Sequence, residues 1–413
     1  MIKSTTIFLA AALLVISGSA VLLASPSGQE ITPPATPIPP TFFGLHMHWA
    51  DVSTTWPSVP FGAWRLWDSH TTWAQLEQRK GDWNWQALDK DVALAQQHGV
   101  DLLLTLGRSP QWASARPQER GRNPRAMPGG MAEPRNLEDW RNYVRTVATR
   151  YKGRIRQYEI WNEPNLPNFF SGTPEAMRDL AREAYTTLKE VDPSNLVISP
   201  SAVGPKGLPW MQEYLQLGGG KYADVIGWHF YVARKPPEAL LEYMPQLRSI
   251  LSSGGVGDKP LWNTEAGWTV FADIDEREAP AYVARAYILN WALGVSRFYW
   301  YAWDDQHLSV RLTEGDLATA TPAAKAYAQV EEWLVGAQMD WFRREDSSNF
   351  VCQLSRDGKK SWIAWNPERN SKLDIPKSWS VSSSQKLLET RNAISGGSVE
   401  INSFPTLLES SSR

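Results

Sequence analysis

Cysteine is almost absent: Cys352 is the single one in 413 residues. That excludes an internal disulfide and any small fold stapled by several. No cysteine stands near the N-terminus, so a bacterial-type lipid anchor is not indicated. An excess of one charge is lacking too. The 42 basic and 44 acidic side chains leave a formal charge of −2, which gives no basis for nucleic-acid binding or for a polyanionic tail. One long apolar run is present, Ile7 to Ala24 after Met1-Ile2-Lys3, and its 18 residues are near the lower limit for a membrane span. It reads as a secretory signal or an uncleaved anchor, with small residues for cleavage at Gly18-Ser19-Ala20. Export, to the periplasm or beyond the cell, and membrane association through residues 1–24 are therefore expected. Residues 25–40, rich in Pro, Thr and Ser, read as an extended spacer.

Tryptophan is abundant: 22 residues against 13 Tyr and 12 Phe. Most must fill the core, yet flat indole faces also suit the C–H faces of sugars. From Phe42 onward, short β-rich runs alternate with helical periodicity, the pattern of βα units. The candidate strands run over 42–46, 63–67, 101–106, 157–161, 196–200, 225–231, 260–265 and 297–303. Eight such strands predict an α/β chain with a (β/α)8 TIM barrel over 41–335. After Val335 the pattern changes to alternating runs, 350–354 and 361–365, separated by Arg356-Asp357-Gly358-Lys359, a hairpin signal. A small β-sandwich over 336–413 is expected.

Two acids sit at strand ends. Glu163 follows the strand closed by Ile160-Trp161-Asn162, where Pro164 ends the pairing. Glu265 ends the run Pro260-Leu261-Trp262-Asn263-Thr264. The C-terminal strand ends of a parallel barrel face its active site. Two carboxyls delivered there suit glycosidic cleavage: one protonates the leaving oxygen while the other attacks or stabilises the oxocarbenium-like centre. Asn162 could hydrogen-bond a sugar hydroxyl beside the reacting carbon.

Trp161-Asn162-Glu163-Pro164 resembles the acid/base motif of clan A glycoside hydrolases, and Thr264-Glu265 resembles their nucleophile strand. The likeness is greatest to family 39, which includes xylosidases, iduronidases and bacterial exopolysaccharide glycosidases. It implies a retaining enzyme with Glu163 as acid/base and Glu265 as nucleophile, acting on a polysaccharide or oligosaccharide without a cofactor. It also assigns Arg65, His229 and Tyr231 to the surroundings of the nucleophile. Trp300, or less well Trp303, is assigned to the floor of the reacting sugar's site. His48 and Trp112 complete the candidate substrate-binding set.

Two rivals use the same residues differently. His46-Met47-His48 is the H-x-H arrangement of metal-dependent amidohydrolase barrels, although strand five ends Ser199-Pro200-Ser201 without a histidine. An inert sugar-binding or polysaccharide-assembly protein on a barrel scaffold is the other. The segment 108–135 is too long for a simple connection and carries six arginines against two acids. This predicts a basic wall suited to anionic substituents.

Overall fold

A computed structural model of the chain describes residues 30–121, 127–345 and 348–411. The apolar segment 1–24, with Arg122 and Arg125 of the basic loop, lies outside the described residues. No helix among the described residues is long and apolar enough to cross a membrane.

All eight expected barrel strands are present: Phe43–His46, Ala63–Leu66, Asp101–Leu106, Gln157–Ile160, Leu196–Ile198, Ile226–His229, Leu261–Ala266 and Val295–Trp300. They are called strands one to eight below. Strand five is interrupted at Ser199-Pro200-Ser201, because proline has no amide hydrogen to give the ladder. It resumes as Ala202–Val203, pairing in parallel with strand six. Every named pairing in this sheet is parallel, and strand eight pairs with both seven and one. A bridge between Ile198 and Val225 joins strands five and six and completes the curl.

Period-two alternation sorts the side chains. On strand eight, Phe298 and Trp300 point out to the helices, whereas Tyr299 points inward with Ala63, Leu103, Ile198, Val225 and Trp262. Amphipathic helices cover the outside, among them Leu137–Arg150 and Pro174–Val191. The second of these starts as its sequence predicts, with Thr173 accepting from the Ala176 amide and Pro174 in the first turn. Such a cap contributes about 1 kcal/mol.

The C-terminal region is a seven-stranded sheet with a separate two-stranded ribbon, Ser371–Asp374 with Ser398–Ile401. Strand Phe350–Arg356 is buried on both faces. Val351 meets Trp362, Leu373 and Ile401 under the ribbon, while Phe350, Cys352 and Leu354 join the barrel's main core. The spacer reading of 25–40 needs correction from Glu30 onward. Glu30–Ile31 adds an antiparallel edge strand to this sheet, against Phe342 and Arg343. Ile38, 1% exposed, exchanges backbone bonds with residues 336 and 337. The alternation of prolines concealed one buried isoleucine, Ile38, and one half-buried, Ile31.

Candidate active site

Glu163 and Glu265 meet at the C-terminal mouth of the barrel. One carboxylate oxygen of each and a ring nitrogen of His229 all lie within 4.8 Å of one another. Left-handed backbone at Trp161 (φ 60°) and Glu163 (φ 44°) creates this placement. Such conformations are uncommon outside glycine and are held by their surroundings. Here the Glu163 amide donates to Ser201 O at 3.0 Å, and the Trp161 ring is sent outward onto Phe170 and Trp140.

Arg65 organises the Glu265 side. Fully buried on strand two, it donates through Nη1 to Glu265 Oε2 at 2.8 Å, through Nη2 to Asn162 Oδ1 at 2.7 Å and through Nε to Glu159 Oε2 at 2.7 Å. Asn162 thus has its carbonyl engaged, which leaves its amide group as a donor. Tyr231 donates its hydroxyl proton to Glu265 Oε1 at 2.9 Å. His229 Nδ1 is 2.9 Å from Glu163 Oε1 and 3.9 Å from Glu265 Oε1. So Arg65, Asn162, His229 and Tyr231 come together around the two acids.

The environments of the acids differ. Burial, and then the nearby charge of Glu265, push the Glu163 carboxyl well above the usual carboxylate range. Burial also raises Glu265, to about 7, but Arg65 and the Tyr231 hydroxyl oppose the rise. His229 is held neutral by its burial and by Arg65. Glu163 is therefore the group that keeps its proton, and Glu265 the one stabilised as an anion.

Other expected residues stand elsewhere. Trp300 packs between sheet and helix against Tyr287, Phe298 and Trp268, so it does not floor the site. Trp303 is fully buried in the main core, its amide bonded to His46 O. Trp112 donates to Glu77 O and packs edge-on to Trp73. The aromatic that reaches the barrel mouth is instead Tyr301, one residue past strand eight and on the same side as the inward Tyr299. Its ring lies 5.1 Å from those of both His46 and His48, and the charges of Glu265 and Glu163 raise its pKa further after burial. The peptide bond between Tyr301 and Ala302 is cis.

The H-x-H histidines are engaged in the scaffold. His46 Nε2 donates to Thr264 O at 3.0 Å, which fixes the strand carrying Glu265. Burial and Arg65 keep it neutral. His48 Nδ1 lies 3.4 Å from Asp304. That aspartate gathers the amides of His48 and Trp49 and the Thr54 hydroxyl, tying loop one to loop eight. The basic loop is partly neutralised: Arg116 forks onto Glu133 at 2.9 Å and also meets Glu119. Arg108, sandwiched against Trp67 and Phe169, interacts electrostatically with Asp68 and Glu163.

Sequence reasoning missed Glu159, although it lies on an inward position of strand four. Its Oε2 also accepts from Thr105 (2.7 Å) and its Oε1 from Ser201 (2.5 Å), and Ser201 in turn accepts from Thr264 (2.8 Å). A buried inward acid requires a buried cation. Arg65 two strands away was the signal available.

Residues 134–327 match the model for the glycosyl hydrolase catalytic core, a span containing both acids. Residues 67–195 match that for glycosyl hydrolase family 10. A solved family 39 glycoside hydrolase from Bacteroides cellulosilyticus WH2 superposes with a TM-score of 0.72 at 19% identity, covering 91% of this chain and 81% of that one. The chain has the fold of the family 39 glycoside hydrolases. A family 39 β-xylosidase from Caulobacter crescentus shares that fold at TM-score 0.64 and 17% identity, over 91% of this chain and 97% of the other. In sequence, a β-xylosidase of Caldicellulosiruptor saccharolyticus is 31% identical over 111 residues, 25% of this chain and 22% of that protein. A β-xylosidase of Geobacillus stearothermophilus is 24% identical over 187 residues, 38% of this chain and 37% of that protein. The chain thus spans well under half the length of these two relatives.

Proposed function

We propose that the chain is a retaining glycoside hydrolase that cleaves O-glycosidic bonds of a polysaccharide or oligosaccharide. The observation that carries this reading is the asymmetric pair: Glu163 beside neutral His229, its burial favouring the protonated form, and an Arg65-bound Glu265, with carboxylate oxygens within 4.8 Å. That closeness suits direct attack on the sugar. Inverting enzymes separate their carboxyls by about 6.5–9.5 Å to admit a water between.

In the first step Glu163 gives its proton to the glycosidic oxygen as that bond breaks, and Glu265 Oε attacks the anomeric carbon to form a glycosyl ester. In the second, Glu163, now a carboxylate, takes a proton from water, whose oxygen displaces Glu265 from the same carbon. The Asn162 amide group, oriented by Arg65, is placed to donate to the neighbouring sugar hydroxyl. The β-xylosidases among the similar proteins support β-xylosides as first substrates; a bacterial exopolysaccharide is the alternative polymer. The apolar N-terminal segment supports export, with the enzyme either released or held at a membrane surface.

A 2-deoxy-2-fluoro-β-xylosyl fluoride, which slows the second step more than the first, tests this. The expected result is loss of activity with a mass increase on the peptide containing Glu265. Labelling elsewhere, or inactivation without a covalent adduct, contradicts it.

A further inference from the structure

Seven large apolar side chains are well exposed among the described residues. Five of them, Trp49, Val52, Met127, Val270 and Phe271, stand on loops leaving the C-terminal ends of strands one, three and seven. Scattered exposed apolar groups need no explanation, but a concentration on one face marks an interaction site. Phe271 is 76% exposed and Trp49 43%.

Neither ring is carried on a slack loop. The Trp49 amide donates to Asp304 Oδ2 at 3.0 Å, and the indole rests one face near His70, with ring centroids 5.1 Å apart. Phe271 sits in the short 3-10 turn Val270–Ala272. Val270 N donates to His307 O (3.2 Å), Ser309 Oγ donates to Thr269 O (3.0 Å), and Thr269 bridges Leu308. Both turns are thus pinned to the loop after strand eight, which begins at Tyr301 beside the acids. Turns whose backbone is fixed before binding add little ordering cost when a ligand covers the side chains they carry.

The surrounding charge narrows the ligand. Asp273, Asp275, Glu276 and Glu278 follow Phe271, against Arg277, which pairs with Asp275, and Arg311, which pairs with Glu276; the acidic excess that remains disfavours an anionic bilayer or an anionic polymer at this end of the site. We propose that Phe271 and Trp49 are stacking platforms for neutral sugar units flanking the reacting one, so that the site holds several units of an extended chain. This rests on the glycosidase reading and specifies its substrate as a polymer rather than a disaccharide.

The test compares the full chain with the W49A/F271A double variant and with F271Y, using xylohexaose and 4-nitrophenyl β-D-xyloside. Loss of two platforms should lower kcat/KM on xylohexaose about tenfold relative to the aryl xyloside, through KM, and F271Y should keep most of the wild-type ratio. An unchanged ratio overturns the proposal. If the wild type cleaves neither compound, the assigned substrate is wrong, and native gels containing soluble xylan, glucomannan or hydroxyethyl cellulose decide the platforms separately. Retardation of the wild type that the double variant loses supports them; equal mobility of the two in every gel overturns them. Cosedimentation with phosphatidylcholine vesicles, or dimerisation, that is abolished in F271A would assign the face to a membrane or a second copy instead.

Discussion

Arg65 and Glu265 form the ion pair on which the site depends, with Nη1 2.8 Å from Oε2 and the arginine side chain wholly removed from solvent. The same guanidinium neutralises Glu159, 2.6 Å away and equally buried. One cation thus serves two carboxylates, the proposed nucleophile Glu265 and the buried Glu159. Arg65→Met should lower kcat/KM at least a hundredfold and destabilise the fold by about 3–5 kcal/mol, because it strands buried charge. Kinetics and urea denaturation measure the two effects. Removing Glu159 as well, in R65M/E159Q, should restore much of the stability without restoring activity.

Burial pushes Glu265 up to about 7 against the pull of Arg65 and Tyr231, while burial and the charge of Glu265 push Glu163, which has no such cation bonded to it, well above the usual carboxylate range. The kcat/KM profile should therefore lose activity on the acid side as Glu265 gains a proton and on the alkaline side as Glu163 loses one. Tyr231→Phe deletes a donor to the anion, so the acid limb should move to higher pH. A pH series on an aryl glycoside checks this; an unmoved or lowered limb would separate Tyr231 from Glu265's ionisation.

The two acids should fail differently. Glu163→Ala removes only the proton, so poor leaving groups should lose about 10²–10⁴-fold, while activated aryl glycosides are partly rescued by added azide. Glu265→Ala should hydrolyse neither class with retention. Identical behaviour of the two variants would contradict the division of labour.

Folded-state pKa values raised above those of the unfolded chain also set the sign of a stability effect. A raised carboxyl supports the fold below its unfolded pKa, about 4.3 for glutamate, and this contribution is lost as pH rises toward the folded value. Glu163→Gln cannot ionise. Its melting temperature should exceed that of the wild type above neutrality and approach it near pH 4, as scanning calorimetry would show.

The strand-borne polar residues were legible because a buried barrel strand tolerates them only for a reason. Arg65, Asn162, Glu163, His229, Tyr231 and Glu265 all stand at or near strand ends, and all converge. The aromatic floor was not legible. Strand eight offers Trp300, Tyr301 and Trp303 within four residues, and a one-residue change in register exchanges inward and outward faces. The chain directs Tyr301 inward and gives both tryptophans to the core. In the basic loop the sequence shows the excess of arginine but not which cations are paired: Glu133 and Glu119 fold back onto Arg116.

The stereochemistry of the first-formed product tests the central claim most directly. Proton NMR during hydrolysis of an aryl β-xyloside, or of whichever aryl β-glycoside the enzyme turns over, should show the β-anomer of the free sugar before mutarotation, because two displacements at one carbon restore its configuration. The α-anomer appearing first would mean a single displacement by water and would remove Glu265 from the role of nucleophile.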